Sequence, residues 1–188
     1  MNSKLTTLLI LGVSLIGTIA FLIFHKDIER PLTQNDIPFV ATSTAAANAV
    51  ILQPGQKLFK DVGYGYEFAY PENFKVTQYK EKDNGMTITF EDPAGIQDFQ
   101  IFIIPYSTQI TAARIKLDAH QVEGTPQEVV FGNTHALIFF SNQPQFGKLR
   151  EVWFTNSGRL YEVTTAATND TWIAGLMNTW RFGAGSSI

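Results

Sequence analysis

Tyr64-Gly65-Tyr66-Glu67-Phe68-Ala69-Tyr70-Pro71 alternates rings with small or charged residues, and the chain then runs on through Glu72-Asn73-Phe74-Lys75-Val76. A repeat of two puts the rings of Tyr64, Tyr66, Phe68 and Tyr70 on one side of an extended chain, which is the period of a half-buried strand. Pro71 lacks the ladder donor and closes that strand. Phe74, Val76 and Gln78 continue the period as a second strand. Asn84-Gly85 is a hairpin signal that joins it to Met86, Ile88 and Phe90.

Downstream, Asp92-Pro93-Ala94-Gly95 turns the chain, and Phe99–Pro105, apolar except for Gln100, suits a central strand. Thr111 is placed to cap a short helix through Ala112, Ala113, Ile115 and Ala119. Glu123-Gly124-Thr125-Pro126 reads as loop. Glu128–Phe131 and Thr134–Ser141 flank Gly132-Asn133 as a tight pair of strands. Leu149, Val152, Trp153 and Phe154 form another, turned at Asn156-Ser157-Gly158 into Leu160–Thr165. Asn169 or Asp170 then caps a helix whose Trp172, Ile173, Leu176, Met177 and Trp180 fall on one face. These elements predict an α+β fold: an antiparallel sheet of about seven or eight strands with two helices. Upstream of the strands the chain predicts one transmembrane helix.

That expectation rests on Leu5–Phe24, twenty residues without charge or proline. As a helix they reach ~30 Å, the thickness of a bilayer's hydrocarbon core. A cleaved signal peptide is the alternative, with Thr18 and Ala20 as its small residues. Phe21-Leu22-Ile23-Phe24 continues the apolar run past them and favours an uncleaved anchor. The flanks carry Lys4 on one side and Lys26 and Arg30 on the other, nearly balanced under the positive-inside rule. A four-residue N-terminal tail argues for a cytoplasmic N-terminus and an extracytoplasmic domain. Residues 25–57 form a charged collar, His25–Arg30, and a stretch of Pro, Thr, Ser, Ala, Asn and Gln that reads as a flexible stalk. Twenty-seven flexible residues give an r.m.s. reach of ~25–30 Å. Residues 58–182 form the globular domain and 183–188 a tail.

Composition narrows the chemistry. From Leu58 to Phe182 there are ten Lys/Arg and fourteen Asp/Glu, a net charge of −4, with no basic stripe for nucleic acid. The chain has no cysteine, which removes disulfides, thiolate catalysis and cysteine-based zinc sites. The histidines are His25, His120 and His135, and no H-x-x-x-H spacing joins them. A metal site from His120, His135 and Glu123 is a remote alternative. So is a Ser141–His135–Asp118 triad, since no G-x-S-x-G elbow surrounds any serine. Asp92 and Asp98 read as turn residues rather than as calcium ligands. No catalytic, cofactor or metal residue is assigned.

Fifteen Phe, six Tyr and three Trp remain. Most such residues belong to a core. Tyr64, Tyr66, Tyr70, Phe146 and Trp153 are the candidates for contact with a partner, because Tyr and Trp are favoured at interfaces and Phe146 lies in a loop.

Gly65-Tyr66-Glu67-Phe68-Ala69-Tyr70-Pro71-Glu72-Asn73-Phe74-Lys75-Val76 resembles the opening G-F-x-x-x-Y-P-x-x-W/F-x-V of PsbP-like domains. Gly158–Ala166 resembles their g-x-l-Y-x-v-t strand, and Thr179-Trp180-Arg181-Phe182 their closing S/T-F/W-x-F. The resemblance spans roughly Lys57 to Phe182. It implies a non-enzymatic, extracytoplasmic binding or accessory domain: PsbP is an extrinsic lumenal subunit of photosystem II, and a eukaryotic relative of the fold binds the GTPase Ran. The anchor and the neutral stalk depart from PsbP itself and make a photosystem role doubtful. The expected function is therefore recognition of an envelope protein or surface component, with no cofactor. The alternatives are a hydrolase in which Glu67, Glu72 and Glu151 converge, and a structural subunit of a surface assembly.

Overall fold

A computed structural model describes residues 49–119, 121–132 and 134–183. The proposed membrane helix, most of the stalk and the tail from residue 184 lie outside the described residues. Within them no helix is long and apolar enough to cross a membrane.

The strands are β1 (Gln56–Asp61), β2 (Tyr66–Pro71), β3 (Lys75–Lys80), β4 (Met86–Glu91), β5 (Phe99–Pro105), β6 (Val122–Phe131), β7 (Thr134–Gln143), β8 (Gly147–Asn156), β9 (Arg159–Ala166) and β10 (Arg181–Phe182). The helices are α1 (Ala112–Asp118) and α2 (Asp170–Met177). Seven strands form one antiparallel sheet in the order β3-β4-β5-β9-β8-β7-β6, and β1-β2-β10 form a second. The α+β class and the two helices are as expected. The number of strands is ten, in two sheets rather than one.

The extra strands have a common reason. β1 carries a single buried residue, Phe59, and β10 is two residues long. Neither shows a period of its own; each is extended because β2 supplies a ladder, with Phe59 opposite Phe68 and Phe182 opposite Tyr66. Val50-Ile51-Leu52 forms no strand, and Ile51 is 77% exposed. Glu123–Pro126, expected as loop, lies inside β6, where the register against β7 shifts between Glu123 and Gln127. Pro126 cannot donate to a ladder, and an irregular edge strand tolerates it.

The core fills the space between the sheets. Tyr66, Phe68 and Phe59 from the small sheet face Phe90, Phe99, Ile101, Ile103, Ile138, Val152, Phe154, Tyr161 and Val163 from the large one. Trp180 completes it, its ring stacked at 4.6 Å on Tyr66 and 4.8 Å on Phe68. Trp180 lies beyond the end of α2 rather than on its face. Thr179 sets that exit: its hydroxyl donates to the Leu176 carbonyl at 2.7 Å and accepts from the Ala69 amide at 3.0 Å.

The outer face of the large sheet is covered in part by α1. Thr111 caps it by accepting from the Arg114 amide at 3.1 Å. Ile115, fully buried, packs with Leu137, Phe139, Trp153 and Leu160. With both faces covered, Ala136–Ser141 and Leu149–Phe154 are buried without interruption, and the two-residue period vanishes there.

Candidate functional site

The five aromatic candidates separate. Tyr66 is 1% exposed and Trp153 6%; both are taken up by packing, Tyr66 between the sheets and Trp153 beneath α1, so neither offers a surface to a partner. Tyr70 is half-buried against the core, its ring 5.3 Å from Phe90. Phe146 is half-buried in the β7–β8 turn, its amide donating to the Gln143 carbonyl. Tyr64 is half-buried in the β1–β2 turn and carries the Arg159 guanidinium 4.7 Å above its ring.

The reactive combinations do not assemble. Ser141 is buried and donates to Glu151 at 2.8 Å, while His135 is exposed six residues away, ~20 Å along an extended strand. Asp118 pairs with Arg114 on the surface of α1. His120 lies outside the described residues, and Glu123 pairs with Lys148 at 2.7 Å. Among the described residues no three His, Asp or Glu side chains are grouped to hold a metal ion. Asp92 accepts from the amides of Ala94, Ile96 and Gln97, and Asp98 from that of Asp92, so both carboxylates shape their own turn. Glu67 pairs with Lys60 at 3.5 Å on the small sheet, Glu72 is exposed, and Glu151 stands on the outer face of the large sheet. The three carboxylates are not brought together.

Glu151 instead has another acidic neighbour. Glu151 lies opposite Thr164 and Trp153 opposite Glu162 in the β8–β9 register, which sets Glu151 and Glu162 on one diagonal. Glu151 is 5% exposed and accepts from Ser141 Oγ at 2.8 Å, Thr164 Oγ1 at 2.8 Å and Trp153 Nε1 at 3.3 Å. Burial pushes its carboxyl above the usual range, and the three donors oppose that shift. Glu162 is half-buried. Burial raises its carboxyl well above the usual range, and the charges of Glu151 and Asp118 push the same way.

A second polar cluster sits at the rim between the sheets. On the small sheet it has Asp61, Tyr64 and Tyr66; on the large one Asn156, Arg159 and Tyr161. The Tyr64 amide donates to Asp61 Oδ1 at 3.0 Å, and the Tyr161 hydroxyl lies 3.5 Å from the Tyr64 carbonyl it faces. The Tyr66 and Tyr161 rings meet edge to face at 5.6 Å. Burial, then the Asp61 charge, raises the Tyr66 phenol above its usual value. Burial raises that of Tyr161 too, against the pull of Arg159. Three polar atoms here are buried without a hydrogen-bond partner among the described residues: Tyr66 Oη, Arg159 Nη1 and Asn156 Nδ2.

Tyr64 and Tyr66 were legible as candidates from their rings. Arg159, Asn156 and Glu162 were not. Their only trace in sequence is a charged or amide residue at the end of a strand or within one.

The two packed sheets with α1 on the outside define a PsbP-like fold. Among solved structures the chain is similar to the solution structure of cyanobacterial PsbP (CyanoP) from Synechocystis sp. PCC 6803, with a TM-score of 0.50 and 12% identity over 76% of this chain and 98% of that one. No family model matches the sequence, and no curated protein does. At that identity the likeness speaks for fold alone.

Proposed function

We propose that this chain is a single-pass membrane protein whose PsbP-like domain stands outside the cytoplasm and binds an envelope protein or surface component without catalysing a reaction. The observation that carries this is the order of its parts. An uncharged twenty-residue apolar run is followed by a neutral, small-residue stretch, and the folded ladder begins only at Gln56. That is the layout of tether, spacer and recognition domain. The resemblance to PsbP-like domains, which implies accessory binding, supports the same reading.

The test is localisation followed by capture. Full-length protein should stay in the membrane pellet after an alkaline carbonate wash, and protease added to intact spheroplasts should digest the domain. A chain lacking residues 5–24 should become soluble. A wild-type chain released by carbonate, or a domain protected from external protease, overturns the proposal. Crosslinking in intact cells should then trap a discrete envelope partner.

A further inference from the structure

We propose that α1 is a latch on the outer face of the large sheet, closed while the Glu162 carboxyl carries a proton and released from the sheet when that carboxyl ionises. Glu162 stands on β9 between Leu160 and Thr164, with Trp153 of β8 directly opposite and Glu151 on the diagonal. Leu160 and Trp153 are two of the side chains against which Ile115 of α1 packs. The carboxyl therefore lies beside the helix contact, on the face that α1 covers. Lys60, Lys75, Arg114, Lys148 and Arg150 each have a carboxylate within 4 Å, and Glu162 is the partner of none of them.

Two carboxylates on one diagonal of a sheet face do not both ionise without cost, and they titrate as a pair. Ser141, Thr164 and Trp153 donate to Glu151 and favour its charged form, which leaves the proton to Glu162. Among the described residues no cation answers it. On β5 its outer-face neighbours Gln100, Phe102 and Ile104 are uncharged, as are Leu137 and Phe139 on β7. On α1, Asp118 adds a second negative charge, Arg114 is engaged by Asp118, and Lys116 is exposed. Burial first, and then the charges of Glu151 and Asp118, hold the Glu162 carboxyl well above the usual range.

An ionised Glu162 needs water, and the packing decides which side gives way. Strand β9 is laddered to both β5 and β8, and Tyr161 and Val163 are fully buried on its inner face, so it is fixed. Helix α1 is not. It has seven residues, too few to persist as a helix without packing, and Ile115 is its single buried side chain. The chain is tied on both sides of it: the Tyr106 amide donates to the Gly158 carbonyl at 2.8 Å, and the Asn142 amide to the Gln121 carbonyl at 3.1 Å. The segment between those ties can lift and leave the sheet intact. Lifting it hydrates Glu162 and takes Asp118 away. A group raised in the closed state favours closure fully below its ordinary value, near 4.5. Above that value the closing constant falls by up to about tenfold for each pH unit, until the pH reaches the raised value. The latch belongs to the domain alone and works whether or not the chain is tethered.

The test is amide hydrogen exchange of the full chain in detergent micelles between about pH 5 and about pH 8, with the intrinsic rate at each pH divided out. Protection of residues 112–118 should fall at least about tenfold across that range, while β2 and β9 stay protected. Glu162→Gln should hold that protection high and flat. Should that variant fail to fold, Asp118→Asn is read in its place and should shrink the fall severalfold. Histidines ordinarily titrate in this window, so a chain carrying both His120→Gln and His135→Gln serves as the control and should keep the wild-type fall. A flat wild-type profile, a fall undiminished in the Glu162 or Asp118 variant, a fall lost with the histidines, or an equal loss of protection in β2 and β9 overturns the latch.

Discussion

The two faces of the large sheet are both buried near their centre, but they are built differently. The inner face is aromatic and meets a second sheet; its rings stack on one another, as Phe90 does on Phe99 at 4.3 Å and Phe154 on Tyr161 at 5.1 Å. The outer face is covered in part by one seven-residue helix and sets two carboxylates, Glu151 and Glu162, on one diagonal. The inner face is kept together by area and shape, so its stability is shared among many residues. The outer face depends on a single anchor, Ile115, and on a set of hydrogen bonds converging on Glu151. Mutations should expose that contrast.

The largest effect is expected on the inner face. Trp180→Ala removes the ring stacked over Tyr66 and Phe68 and should cost about 3–5 kcal/mol, measured as a shift of the denaturant midpoint with a single cooperative transition. A cost below about 1 kcal/mol would show that the sheets pack without it. On the outer face, Ile115→Ala should cost about 2–3 kcal/mol, because a short surface helix can settle into part of the cavity. Amide exchange should then rise selectively in residues 112–118 and leave β2 and β9 protected. Uniform loss of protection would erase the distinction between the faces.

The smallest effect concerns the carboxylates and has a sign. A carboxyl raised in the folded state holds its proton more tightly there than in the unfolded chain. Its stabilising contribution is complete below the unfolded value near 4.5 and is lost as pH rises through the higher folded value. Stability should therefore fall as pH rises above about 4.5. Glu162→Gln should flatten that fall and leave the protein more stable than wild type at neutral pH, read from thermal melts across pH. Glu151→Gln should flatten it less cleanly, since Ser141, Thr164 and Trp153 all donate to the carboxylate it replaces. A wild-type profile that rises with pH in this window would contradict the arrangement.

The contrast also marks what could be read in advance. Wherever one face of a strand meets a core and the other meets water or an edge, as in β2 and β3, alternation gave the strand and its inward residues. In β7 and β8 alternation fails, and apolar content plus turn chemistry located the strands instead. Strand β1 escaped notice because Gln56-Lys57-Leu58-Phe59-Lys60-Asp61 has one buried ring and draws its order from β2. The candidate site was legible only in part. Tyr64 and Tyr66 were visible as rings, but the burial of one and the partial exposure of the other depend on which sheet closes over them. Arg159 and Asn156 gave no signal, since what sets them apart is one buried nitrogen on each with no acceptor among the described residues, a property of the assembled sandwich.

Sequence by itself determined the α+β class, most strand and helix positions, the apolar run at Leu5–Phe24 and the lack of cysteine chemistry. Each of these follows from local periodicity, capping, length or composition, which the chain carries residue by residue. Tertiary structure decided that there are two sheets, that Trp180 reaches the core from beyond its helix, that Glu151 and Glu162 are diagonal neighbours, and that the Arg159 guanidinium lies over the Tyr64 ring. The physical reason is that these contacts join residues far apart in the chain, as Tyr66 and Trp180, 114 positions apart, are. Their energies depend on burial and on neighbours supplied by other segments, and no local pattern encodes either.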